Sequence, residues 1–124
     1  MYLMKDQNPE VVDEVGANTA WPLILVVQPD IQVYKLLEKL SPETPWGVRK
    51  IAAQKLGDQQ CPEALRGLMG ALTSDPFWMV RCAIIQALEK IGNPKAIPTL
   101  QDVAKNDGIQ IVRSYAAKSI ERLS

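Results

Sequence analysis

A spacing of 32 residues runs through this chain and restricts its fold more than any other feature. Val48-Arg49, Val80-Arg81 and Val112-Arg113 stand 32 residues apart. Leu56 falls in phase with Leu88 and Ile120, Pro62-Glu63-Ala64-Leu65 with Pro94-Lys95-Ala96-Ile97, Leu68 with Leu100, and Asp75 with Asp107. One period earlier, Val33, Leu36 and Leu40 lie opposite Leu65, Leu68 and Leu72, so the phase holds from about Asp30 to the last residues. A repeat of this length is one supersecondary unit that must share its core with its neighbours.

Each unit reads as two helices. Val80, Ala83, Ile84, Ala87, Leu88 and Ile91 follow the i, i+3, i+4, i+7 spacing of an amphipathic helix, and Gly92 supplies a left-handed stop. Asn93 is an N-cap residue for the next helix, and Pro94 stands at the first helical position, where its missing N–H is harmless. Asp75-Pro76 and Thr44-Pro45 repeat that punctuation ahead of the Val80 and Val48 helices. The expected fold is all-α, a short right-handed α-solenoid of helical hairpins. Residues 29–43 form a partial unit, 44–75 and 76–107 two full units, and 108–124 a C-terminal cap with polar Ser114, Lys118, Glu121, Arg122 and Ser124. Residues 1–28 break the phase and are expected to form a partly irregular N-terminal cap, in which Leu23–Val27 is a short buried strand or part of a helix.

Composition narrows function by exclusion. Fourteen basic residues balance 14 acidic ones, so no overall field gathers phosphate backbones or anionic lipid, and nucleic acid is not an expected partner. Cys61 and Cys82 form no CxxC pair and suggest neither a disulfide framework nor a zinc site. The longest apolar run, Trp21–Val27, is far short of the ~20 residues that span a bilayer, and Met1–Asp13 lacks the apolar core of a secretory signal. A cytoplasmic protein without membrane insertion is expected. With no histidine, no Gly-rich phosphate loop, no GxSxG and no metal-ligand spacing, the chain offers little for catalysis, and no cofactor or metal is expected.

The pattern Trp-x-Val-Arg-x-x-Ala in Trp46–Ala52, then Leu56-Gly57-Asp58 and Pro62-Glu63-Ala64-Leu65, resembles the HEAT-like repeats of the phycobilisome lyase group. The second unit carries the likeness further in Val80-Arg81, Ala87-Leu88, Ile91-Gly92-Asn93-Pro94 and Ala96-Ile97-Pro98-Thr99-Leu100. The resemblance covers about three-quarters of the chain. It implies a HEAT-type solenoid and a setting among bilin lyases, phycobilisome-degradation proteins and scaffolds, with a phycobiliprotein as a candidate partner. Bilin lyases of this kind are longer, paired subunits, whereas this chain holds about three repeats. Another HEAT-repeat family hydroxylates a modified lysine at a di-iron centre held by His-Glu motifs, which a chain without histidine does not have.

Arg49, Arg81 and Arg113 each follow an acid by six residues, namely Glu43, Asp75 and Asp107. These six are expected to form an Arg–carboxylate ladder between neighbouring repeats, the alternative being a basic stripe for a ligand. Trp46 and Trp78 occupy one repeat position and serve either packing or as anchors for a partner. One and five residues past each arginine lie Lys50 and Gln54, Cys82 and Gln86, Ser114 and Lys118. In HEAT-like stacks the second helices line the concave side, so this ridge is either the partner surface or a solvated face. Arg81 beside Cys82 would lower its thiol pKa, unless the cysteine is simply buried. The expected function is a non-catalytic protein-binding module using the concave face of its second helices, with a second copy of the chain among the candidate partners. The alternative is a bilin lyase-like protein in which Lys50, Arg81 or Lys118 hold the bilin propionates.

Overall fold

A computed structural model describes residues 32–124, within which Val33–Ser124 make one compact unit. The cap expected over residues 1–28, and the first residues of the partial unit, lie outside the described residues. Six helices and no strand are found among the described residues: α1 over 32–38, α2 over Trp46–Asp58, α3 over Leu65–Ser74, α4 over Trp78–Ile91, α5 over Ile97–Asn106 and α6 over Gln110–Leu123. They alternate as the period requires. α1, α3 and α5 are the first helices of successive hairpins, and α2, α4 and α6 the second.

The second helices stack in one layer, α4 packing against α2 on one side and α6 on the other, while α3 packs on α4, α5 on α6, and α3 on α5. A single core runs between the layers. Leu56 and Leu88 are fully buried from the second helices, and Leu68, Leu72 and Leu100 from the first. Residues one period apart fill equivalent places, so each hairpin closes the core of the one before it.

Local chemistry sets the helix ends. Asp75 accepts the Phe77 N–H at 3.0 Å and Asp107 accepts the Ile109 N–H at 2.9 Å, turns that launch α4 and α6. The helices therefore begin at Trp78 and Gln110, two residues later than a direct Asp cap would place them. α3 and α5 are preceded by 3-10 turns, Pro62–Ala64 and Pro94–Ala96, and in the second the Asn93 carbonyl side chain accepts the Lys95 N–H at 2.9 Å. Gly92 ends α4 at φ 77°, donating its N–H to Leu88 O. One period earlier Gln60 holds φ 51° without being glycine, and its side-chain amide donates across to Lys90 O at 3.1 Å.

Two glycines let helices approach closely. A Cβ on Gly57 would lie 2.6 Å from Ala87 Cα, so α2 and α4 touch backbone to backbone there. A Cβ on Gly67 would lie 2.6 Å from Leu37 Cδ2, which joins α1 to α3.

Candidate functional site

The arginines at the starts of the second helices hold the hairpins in register. Arg49 donates Nε to Asp75 Oδ2 at 2.8 Å and Nη2 to Asp75 Oδ1 at 3.2 Å. Arg81 does the same to Asp107, at 2.8 and 3.0 Å. Each guanidinium thus clasps the acid 26 residues ahead, in the next hairpin. The residue six positions behind contributes its backbone instead: Arg81 Nη1 donates to Asp75 O at 2.9 Å and Arg113 Nη1 to Asp107 O at 2.6 Å. Arg49 Nη1 reaches the carbonyls of Thr44 and Pro42. Glu43 therefore drops out of the expected ladder: it is exposed, and the Arg49 guanidinium is turned away to Asp75 and those carbonyls.

Electrostatics agree with the geometry. Burial alone would push the Asp107 carboxyl up, but the Arg81 hydrogen bonds, the Ile109 N–H and the charges of Arg81 and Arg113 outweigh it and hold the group below its ordinary value. With their donors committed to carboxylates and carbonyls, Arg49 and Arg81 are not a basic stripe for a ligand.

Cys82 is withdrawn from the ridge, since it is buried between the neighbours of the central helix. Burial pushes its thiol pKa up; Arg81 pulls it down and Asp107 adds to the rise, so burial outweighs the lowering that Arg81 alone would bring. Trp46 is exposed and tilts against Phe77, their ring centroids 4.7 Å apart, while Trp78 is half-buried against the core. The two tryptophans share a repeat position without sharing an environment.

The other ridge residues stay on the surface. Gln54 and Gln86 are exposed on α2 and α4, and Ser114 and Lys118 on α6, with Lys50 half-buried. Gln54, Asp58, Gln86 and Lys90 line a groove of about 230 Å³ between α2 and α4. Gln86, Glu89, Tyr115, Lys118 and Arg122 line a second of about 230 Å³ between α4 and α6. Gln86 is the wall the two grooves share. Lys50 and Ser114 line neither.

Ion pairs frame these grooves. Lys90 Nζ pairs with Asp58 Oδ1 across the first, and Arg122 Nη1 with Glu89 Oε2 at 2.7 Å across the second, where Ser119 Oγ also donates to Glu89 Oε1 at 2.8 Å. Position 58, in phase with 90 and 122, reads Asp, Lys, Arg, a column of charge that lies nine residues past each arginine and so off the one-and-five ridge. Tyr115, two residues past Arg113 and also off that ridge, adds an exposed aromatic ring. A larger hollow of about 300 Å³ lies between the ends of α3 and α5, but its charged groups already have partners: Asp75 accepts from Arg49, Asp107 from Arg81, and Asp102 from the Asn106 amide at 2.7 Å.

Among the described residues no group of acids or cysteines is arranged to hold a metal, and no helix is long and apolar enough to cross a membrane. The surface offers amide, ammonium, guanidinium, carboxylate and phenol groups along a twin groove, a set suited to hydrogen bonding and charge pairing with a polypeptide.

A family model described as HEAT repeats matches residues 33–121. No curated protein and no solved structure matches the chain.

Proposed function

Because the chain belongs to the HEAT-repeat family, we propose that it is a non-catalytic protein-binding module that takes a partner segment along the exposed face of α2, α4 and α6. The observation that carries this reading is the pair of adjoining grooves with Gln86 as common wall. A segment lying across α4 would meet Gln54 and Lys90 on one side and Tyr115, Lys118 and Arg122 on the other. The ladder lies elsewhere and keeps the helix spacing fixed, so the surface is preformed and little ordering is needed on binding.

The test compares wild type with Gln86→Arg, a change at an exposed position that crowds both grooves. Surface substitutions of this kind shift stability by no more than about 0.5 kcal/mol. Proteins captured from native extract in stoichiometric amount by the wild type should be lost with Gln86→Arg while thermal melting is unchanged. Equal capture by both proteins would place binding elsewhere.

The phycobilisome reading is the finer alternative. Bilin propionates would draw on Lys50 and Lys118, since the Arg81 fork is held by Asp107. A visible absorbance band in the captured material would favour it, and a colourless partner would retire it.

A further inference from the structure

The two faces that flank the second-helix layer complement each other. Val48 is 39% exposed and Ile51 51%, although in the following hairpin the equivalent Val80 and Ala83 are 0% and 3% exposed. Val80 lies on a helix that has α2 packed before it, and Val112, also fully buried, on one that has α4 packed before it. No helix among the described residues does this for α2. At the other side of the layer, Arg113 places Nη1 on Asp107 O just as Arg81 places Nη1 on Asp75 O. Its Nε and Nη2, the fork that in Arg49 and Arg81 grips a carboxylate, meet none among the described residues.

We propose that the chain associates with further copies of itself head to tail, the outer face of α6 in one copy packing on the outer face of α2 in the next, in the register that joins hairpins within a chain. The register identifies the contacts. Within the chain a ladder arginine meets the acid 26 residues ahead. Carried past Arg113 and returned by three periods, that position is Glu43 of the second copy, an exposed acid in phase with Asp75 and Asp107. Glu89 meets Ser119, 30 residues ahead, and by the same step Glu121 meets Lys55 of the second copy.

Glu121 thus faces Lys55 beside the Arg113–Glu43 pair, and Val48 and Ile51 are covered as Val80 and Ala83 are. A symmetric pairing of two α6 faces has no such match, because it leaves the α2 face, with Glu43 and Lys55, outside the contact. A head-to-tail contact uses two different faces, so each added copy leaves one of each open. Growth beyond a dimer follows. The pairs lie at the surface and are screened by salt.

Sedimentation velocity of the full chain from micromolar to millimolar concentration reads the result. At low ionic strength the apparent mass should climb past two chains, and molar salt should return it towards one. Arg113→Glu alone and Glu43→Arg alone should each remain monomeric, since each sets like charges at its own contact. Their equimolar mixture should regain the wild-type distribution. Where the α6 face of the Arg113→Glu protein meets the α2 face of the Glu43→Arg protein, the two exchanged charges attract, and at the opposite junction the native Arg113–Glu43 pair forms. Circular dichroism melts establish that both variants are folded. A wild type that stays monomeric throughout, a mass that stops at two chains, or a mixture that remains monomeric overturns the proposal.

Discussion

Arg49 and Asp75 form an ion pair whose breaking the fold tolerates poorly. Both are nearly buried, at 5% and 6% exposure, and removing one strands the other's charge in the interior. Arg49→Ala should cost about 3–5 kcal/mol, whereas Lys90→Ala, which breaks an exposed pair with Asp58, should cost no more than about 1 kcal/mol. Urea denaturation midpoints measure the contrast, and equal shifts would mean that water reaches the Arg49–Asp75 pair. Asp107 adds a pH dependence of defined sign. Its carboxyl is held below its ordinary value in the folded chain, so ionised Asp107 stabilises the fold above the unfolded value, about 3.9, and that contribution fades as pH falls through the lower folded value. Asp107→Asn should be less stable than wild type at neutral pH, and the gap should close below about pH 4; a constant gap would show that shape rather than charge matters at this site. The three arginines and the two aspartates of the ladder were legible in the sequence, but their pairing was not. In a 32-residue period, the acid six before one arginine is also the acid 26 after the previous one, so spacing cannot choose between them. Geometry chooses: the near acid spends its carboxylate on the Phe77 or Ile109 N–H and on the previous arginine, leaving its carbonyl for its own.

Packing of whole helices was the most readable level, because apolar spacing, proline after a cap residue and glycine at a helix end all agree on where hairpins begin and end. Less legible was how tightly particular helices meet. Gly57 reads as part of a Leu-Gly-Asp motif, yet its role is to let α2 touch the Ala87 backbone of α4. Cys82 shares its repeat position with Lys50 and Ser114, but α4 is flanked by a helix on each side and buries what α2 and α6 leave accessible. A repeat pattern assigns equal roles to equal positions, and neighbours then make them unequal. The two close-contact glycines test this. Gly→Ala within a helix gains about 0.5–1 kcal/mol from backbone entropy. At Gly67 the new methyl meets the flexible end of Leu37, which rotates aside, so Gly67→Ala should be near neutral. At Gly57 it meets Ala87 Cα, and pushing the helices apart should cost about 1–3 kcal/mol, more than the entropy returns. Thermal melting of the two variants decides; a Gly57→Ala protein as stable as wild type would show that α2 slides freely on α4.

The whole stack has neighbours only along one direction, so the same lesion should act differently according to its place. Leu88 on α4 and Leu100 on α5 are both fully buried, and either Leu→Ala change leaves the same cavity chemistry, at about 2–5 kcal/mol. α4 is bound to α2, α3 and α6, whereas α5 is bound chiefly to α6 and only lightly to α3. In a nearest-neighbour stack, a defect in α4 weakens both of its interfaces and severs the cooperative unit, while a defect in α5 loosens the last hairpin and leaves the rest in place. Native-state hydrogen exchange should then show Leu88→Ala lowering protection in every helix from α2 to α6. Leu100→Ala should lower it in α5 and α6 while α2 and the first half of α4 keep wild-type protection. Uniform loss in both variants would mean that the ladder couples the hairpins into one all-or-none unit. In that case the groove between α4 and α6 could not loosen independently of the groove between α2 and α4, and a partner lying across Gln86 would stabilise both grooves together.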